Sequence, residues 1–115
     1  MPLLKLHTSV PVFKEKQDVL LSSLSSIIAE KIGKPTRYVM VAIEEGPVMM
    51  SGKSGNAAFV DVRSIGGLTS EVNNAITKGV CRVLKEYLGI PPDRVYIVFS
   101  NITAGNWGWD NRTFG

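Results

Sequence analysis

The chain has 115 residues, of which 44% are hydrophobic and 20% charged, with a formal net charge of +3. That length suits one domain, 1–115, able to bury roughly two-thirds of its unfolded surface. No stretch is apolar enough for a bilayer span, the scattered Lys and Arg residues form no nucleic-acid stripe, and the single Cys81 rules out an internal disulfide.

Leu3–His7 reads as a strand. Leu20, Leu24, Ile27, Ile28 and Ile32 then fall at helical spacing until Gly33 and Pro35 stop the helix. Tyr38–Ile43 is a Val- and Ile-rich second strand, and a Gly/Ser loop over Ser51–Asn56 leads to a third, Ala57–Val62. Thr69 or Ser70 caps a helix carrying Val72, Ile76, Val80, Val83, Leu84 and Tyr87, which ends at Gly89 and Pro91. Val95–Phe99 is a fourth strand, followed by a Gly/Asn-rich tail that holds Trp107, Trp109 and Phe114.

The two helix exits nearly repeat: Ile32-Gly33-Lys34-Pro35 and Leu88-Gly89-Ile90-Pro91, each followed by a strand. The order β-α-β is therefore doubled. Parallel pairing within each half predicts an α/β (α+β) fold, a four-stranded mixed sheet with two helices on one face. The other face is left bare. Continuous apolar runs at Val39–Ile43 and Val95–Phe99 predict strands buried on both faces, and so a partner subunit over the bare one.

Met-Pro is a common chain start, and Pro2 is also the candidate for chemistry. Removal of Met1 leaves a proline secondary amine at the head of the apolar run Leu3-Leu4-Lys5-Leu6. Burial disfavours the charged form of an amine, so such a group is expected to be largely neutral near pH 7, where a general base works best. A retained Met1 instead makes the Pro2 nitrogen an amide with no basic lone pair. His7 is the lone histidine and has no ligand partners at metal spacing, so no metal site is expected. No phosphate-binding glycine loop occurs, and no cofactor is called for. Lys5 and His7 interrupt any apolar leader core, which predicts a cytoplasmic protein in which the Asn101-Ile102-Thr103 and Asn111-Arg112-Thr113 sequons are incidental.

The chain resembles the macrophage migration inhibitory factor (MIF) family of the tautomerase superfamily. The resemblance rests on Met1-Pro2 heading a strand, Thr8-Ser9-Val10-Pro11, Gly33-Lys34-Pro35 with Tyr38, and Ser64-Ile65-Gly66. It continues through Pro92-Asp93-Arg94-Val95-Tyr96-Ile97 and Gly108-Trp109-Asp110-Asn111-Arg112-Thr113-Phe114. It implies a homotrimer with active sites at the subunit boundaries, and cofactor-free keto–enol tautomerisation of phenylpyruvate-like and dopachrome-like compounds. Non-classical secretion and a protein receptor are also implied.

By the same resemblance Pro2 is the base, and Lys34 contacts the substrate carboxylate or developing enolate. Ile65 offers backbone groups and a pocket wall, with Ser64 a weaker contributor. Tyr96 reaches in from the adjacent subunit, and Tyr38, Trp109 and Phe114 form the wall or rim. Val98 and Trp107 replace an asparagine and a valine of the best-known animal members, which predicts a narrower, more apolar mouth. The animal Cys-x-x-Cys is replaced by Ala57-Ala58-Phe59-Val60, which excludes dithiol chemistry. Two other readings remain: a MIF-like protein-binding module with a vestigial pocket, and a superfamily decarboxylase or dehalogenase, for which Arg37 and Arg63 are the only candidate extra cations.

Overall fold

A computed structural model describes residues 1–115. β1 (Pro2–Thr8) buries Pro2, Leu4, Leu6 and Thr8 and turns Leu3, Lys5 and His7 to the other face, the alternation that a pleated strand requires. α1 (Lys14–Ile32) and α2 (Ser70–Leu88) both end in a left-handed glycine, Gly33 at φ 81° and Gly89 at φ 66°. Thr69 is the cap of α2, its Oγ1 accepting the Val72 N–H at 3.2 Å.

β2 (Met40–Glu45) begins later than the sequence suggests. Thr36–Tyr38 is a 3-10 turn, in which the Tyr38 N–H donates to the Pro35 carbonyl and the Val39 N–H to that of Thr36, each at 3.0 Å. Tyr38 therefore belongs to a turn and not to a strand. The Gly/Ser loop holds a small hairpin, β3 (Met49–Met50) and β4 (Lys53–Ser54), turning on Ser51 and Gly52 at positive φ. β5 (Ala58–Ser64) runs to Ser64, and β6 (Val95–Asn101) follows a second 3-10 turn at Pro92–Arg94. The tail is ordered as well: β7 (Gly108–Trp109) pairs with β8 (Arg112–Thr113) across Asp110 and Asn111, again at positive φ.

The main sheet has the order β2-β1-β5-β6. β1 pairs parallel with β2 and β5 parallel with β6, while β1 and β5 meet antiparallel and join the two halves. Leu4, Leu6, Val60 and Val62 on one face pack with Leu20, Leu24, Ile28, Ile76, Val80 and Leu84 of the helices. Gly79 lets α2 approach α1, since a Cβ there would stand 3.2 Å from Ile27 Cγ2.

The opposite face is open in the single chain, and β2 and β6 are not buried on both sides. Met40 is 65%, Tyr96 67% and Val98 49% exposed. Apolar residues occupy both faces of these strands, and this hid the alternation. The middle of the face is charged: Glu44 pairs with Lys5 at 3.5 Å and His7 at 3.0 Å, and Arg63 with Asp61 at 2.9 Å. The open face is thus an ionic centre with an apolar margin.

Candidate active site

The head of β1 lies beside the start of β2, with Leu3 in register with Met40, and the 3-10 turn before β2 brings Arg37 and Tyr38 to the same place. From the other side the tail supplies Trp107 and Trp109; the Trp107 carbonyl accepts the Phe114 N–H at 3.1 Å, which holds the tail hairpin to the segment before it. Between them is a cleft of about 510 Å³ whose lining includes Met1, Pro2, Arg37, Tyr38, Trp107 and Trp109. The chain thus gathers Pro2 and three of its predicted aromatics around one space, with no carboxylate in the lining.

Phe114 does not line that cleft. It stacks on Trp109 with ring centroids 6.0 Å apart and planes 5° apart, so it backs the wall, and with Trp109 it borders a neighbouring hollow of about 440 Å³ that excludes Pro2. Ser64 lies opposite Pro2 in the β1–β5 ladder, fully buried, with no hydrogen-bond partner for its Oγ. The next residue, Ile65, donates its backbone N–H to the Met1 carbonyl at 3.3 Å.

Lys34 follows the C-terminal glycine of α1, its N–H bonded to the Ala29 carbonyl at 3.0 Å. It is not part of the cleft lining, yet its charge is felt at the chain terminus. Burial first, and the Lys34 ammonium second, hold the Met1 amine below the usual range for an α-amino group.

Tyr96 and Val98 are elsewhere in the same chain. Tyr96 is in register with Phe59 and so with His7, roughly 16 Å along β1 from Pro2 at about 3.3 Å per residue. Val98, level with Asp61 and Lys5, is also distant, and both side chains lie on the open face. Arg37 is the one charged side chain of the lining, and it has no role in the tautomerase reading of the sequence. The sequence offers it only as a candidate extra cation, with Arg63, for the decarboxylase or dehalogenase reading.

No group of three or more His, Cys, Asp or Glu side chains is placed to hold a metal ion. Burial raises the Cys81 thiol above its ordinary pKa, away from thiolate chemistry. No helix is long and apolar enough to cross a membrane.

The family model described as "Macrophage migration inhibitory factor (MIF)" matches residues 1–115. Among curated proteins, the macrophage migration inhibitory factor of Meriones unguiculatus is 35% identical over 115 residues, covering 99% of each chain. Among solved structures, the macrophage migration inhibitory factor homologue from Prochlorococcus marinus superposes with a TM-score of 0.93 at 38% identity, covering 98% of this chain and 99% of that one. The Toxoplasma gondii macrophage migration inhibitory factor gives 0.94 at 34%, covering 97% and 99%. With sequence blocks, sheet order and end-to-end superposition in agreement, the chain belongs to the macrophage migration inhibitory factor family, within the tautomerase superfamily.

Proposed function

We propose that this chain, once Met1 is removed, is a cofactor-independent tautomerase that interconverts keto and enol forms of phenylpyruvate-like 2-oxo acids, with dopachrome-like compounds as further substrates. The Pro2 amine takes a proton from the carbon next to the ketone and returns it to the enol oxygen, a step typically worth about 10²- to 10⁴-fold. The enolate that forms in between needs fixed positive partners. Lys34 and the Ile65 N–H supply them, the first as a cation and the second as a preset donor. Tyr38, Trp107 and Trp109 give an aromatic substrate its wall.

The observation that carries this reading is the Met1–Ile65 hydrogen bond. Loss of Met1 frees the Ile65 backbone donor and creates a secondary amine in one event, the amine at the cleft and the donor close behind it. A base and a donor for nascent negative charge are the minimum that enolisation asks for. Tyr96 and Val98 enter the reading through a homotrimer, in which they serve a neighbour's cleft; their exposure and their distance from Pro2 in the same chain support that arrangement.

Phenylpyruvate turnover by protein of known N-terminal mass tests the proposal. Activity is expected in Met1-free material only, and Pro2→Gly removes it without disturbing assembly. Full turnover with Met1 in place overturns the mechanism. A second reading, a protein-binding module with a vestigial pocket, is favoured by the curated relatives, which carry the name macrophage migration inhibitory factor. Receptor binding retained by inactive Pro2→Gly protein would be its signature.

A further inference from the structure

Arg37 occupies an unusual position for a surface arginine. Its guanidinium carbon lies 4.7 Å from the centroid of the Tyr38 ring, and Nη2 donates to the Tyr38 hydroxyl at 3.2 Å. The cation–π contact and the hydrogen bond hold the guanidinium against the Tyr38 ring. No acidic side chain pairs with it: the chain's ion pairs use Lys5, His7, Lys31 and Arg63. It lines the same cleft as Pro2, which holds no Asp or Glu. A planar guanidinium, tethered to Tyr38 in the same cleft as Pro2 and free of a competing carboxylate, is suited to a bidentate anion.

Resting on the tautomerase reading above, we propose that Arg37 is the residue that reads the substrate's carboxylate, which makes it specificity-determining for aromatic acids over neutral aromatic ketones. Lys34 is then left to the amine and the enolate. This division fits the placement of each cation: Lys34 lies outside the cleft lining but acts on the terminal amine, while Arg37 stands within the lining next to Tyr38. It also fits the chemistry, since a carboxylate suits the guanidinium fork and a single developing oxyanion suits a point charge. An acid held by Arg37 places its ring along Trp107 and Trp109 and its benzylic carbon, the one next to the ketone, toward Pro2.

The test is direct binding, read by fluorescence of Trp107 and Trp109, on Met1-free protein. The probes are 3-phenylpropanoate and its neutral analogue 3-phenylpropanamide, which share a carbon skeleton and differ in charge. The parent protein is expected to bind the acid about tenfold more tightly than the amide, the size of one charge-assisted contact. Arg37→Gln is expected to abolish that preference while amide binding changes less than twofold. An acid preference that survives in Arg37→Gln, or an equal loss of both ligands, overturns the assignment. Phenylpyruvate turnover in the same samples separates the two ideas. Turnover without an Arg37-dependent preference sinks the Arg37 role alone, and the preference without turnover keeps Arg37 and sinks the enzymatic reading.

Discussion

Ser64 stands directly across the β1–β5 ladder from Pro2, wholly buried, and its hydroxyl has no hydrogen-bond partner. A buried hydroxyl left unpaired costs about 1–3 kcal/mol of desolvation, so its deletion removes a penalty along with a small volume. In Met1-bearing protein, Ser64→Ala is therefore expected to be neutral or stabilising by about 1 kcal/mol in urea unfolding. A loss of more than ~1 kcal/mol would show that the hydroxyl has a partner after all.

The terminal amine should report on Lys34. With the lysine present, the protonated amine meets a like charge and the amine pKa falls; Lys34→Ala removes that repulsion and the pKa rises. In Met1-free enzyme, the acid limb of the kcat/KM profile of Lys34→Ala should move to higher pH as its residual activity falls. An unmoved limb would detach Lys34 from the base. In Met1-bearing protein the same sign appears in stability. The folded amine titrates below the unfolded one, so between the two values the unfolded chain binds more protons and stability rises with pH.

Glu44 gives the acid side of the pH dependence. Its carboxyl is held below the usual carboxylate range, first by the His7 hydrogen bond and then by Lys5. A depressed carboxyl contributes stability above its unfolded pKa, and that contribution is lost as pH falls through the folded value. Glu44→Gln should flatten the acid limb of a thermal-stability profile by lowering stability slightly at neutral pH and converging on the parent in acid. A profile parallel to the parent's counts against the pairing.

The helix starts are unequal, and this can be measured. Thr69 caps α2 through the Val72 N–H, and Thr69→Ala should cost about 1 kcal/mol. The N-cap of α1 is Phe13, which provides no side-chain cap and is 63% exposed. Phe13→Asp should stabilise by about 0.5–1 kcal/mol, through a cap bond and the helix dipole. Equal and opposite shifts in urea midpoint are expected for the pair, and a destabilised Phe13→Asp would reveal a packing role for the ring.

Subunit mixing tests whether a cleft needs two chains. Pro2→Gly and Tyr96→Ala chains are each expected to have little activity. Co-refolded, they should regain a fraction of parental turnover, because some clefts then combine an intact Pro2 with a neighbour's intact Tyr96. Mixtures no more active than their components would place Tyr96 outside the site.

Much of this fold was legible because its signals were redundant. Gly33 and Gly89 each pair a helix stop with a nearby proline, and Leu3–His7 alternates cleanly on the core face. The hairpins at Met49–Ser54 and Gly108–Thr113 escaped because two-residue strands have no period to detect. Tyr38 escaped because its N–H bonds to the Pro35 carbonyl, a turn contact at the edge of a run that reads as β. Motif blocks named Pro2, Lys34 and the aromatics. Arg37 could not be found that way, since its place depends on a stack with its neighbour and on the cleft's lack of carboxylates.

Arg94 has a different kind of consequence. Its guanidinium donates to the carbonyls of Met50 at 3.2 Å, Lys53 at 2.9 Å and Asn56 at 3.0 Å, clasping the β3–β4 excursion to the entry of β6. All three acceptors are main-chain atoms, so the clasp ignores which side chains the excursion carries. Away from Gly52 and Gly55, whose positive φ disfavours other residues, side chains between Met50 and Asn56 can change without loss of the clasp, whereas the one arginine that grips them cannot. The segment is therefore a place where this lineage can vary its outer surface while the frame stays fixed.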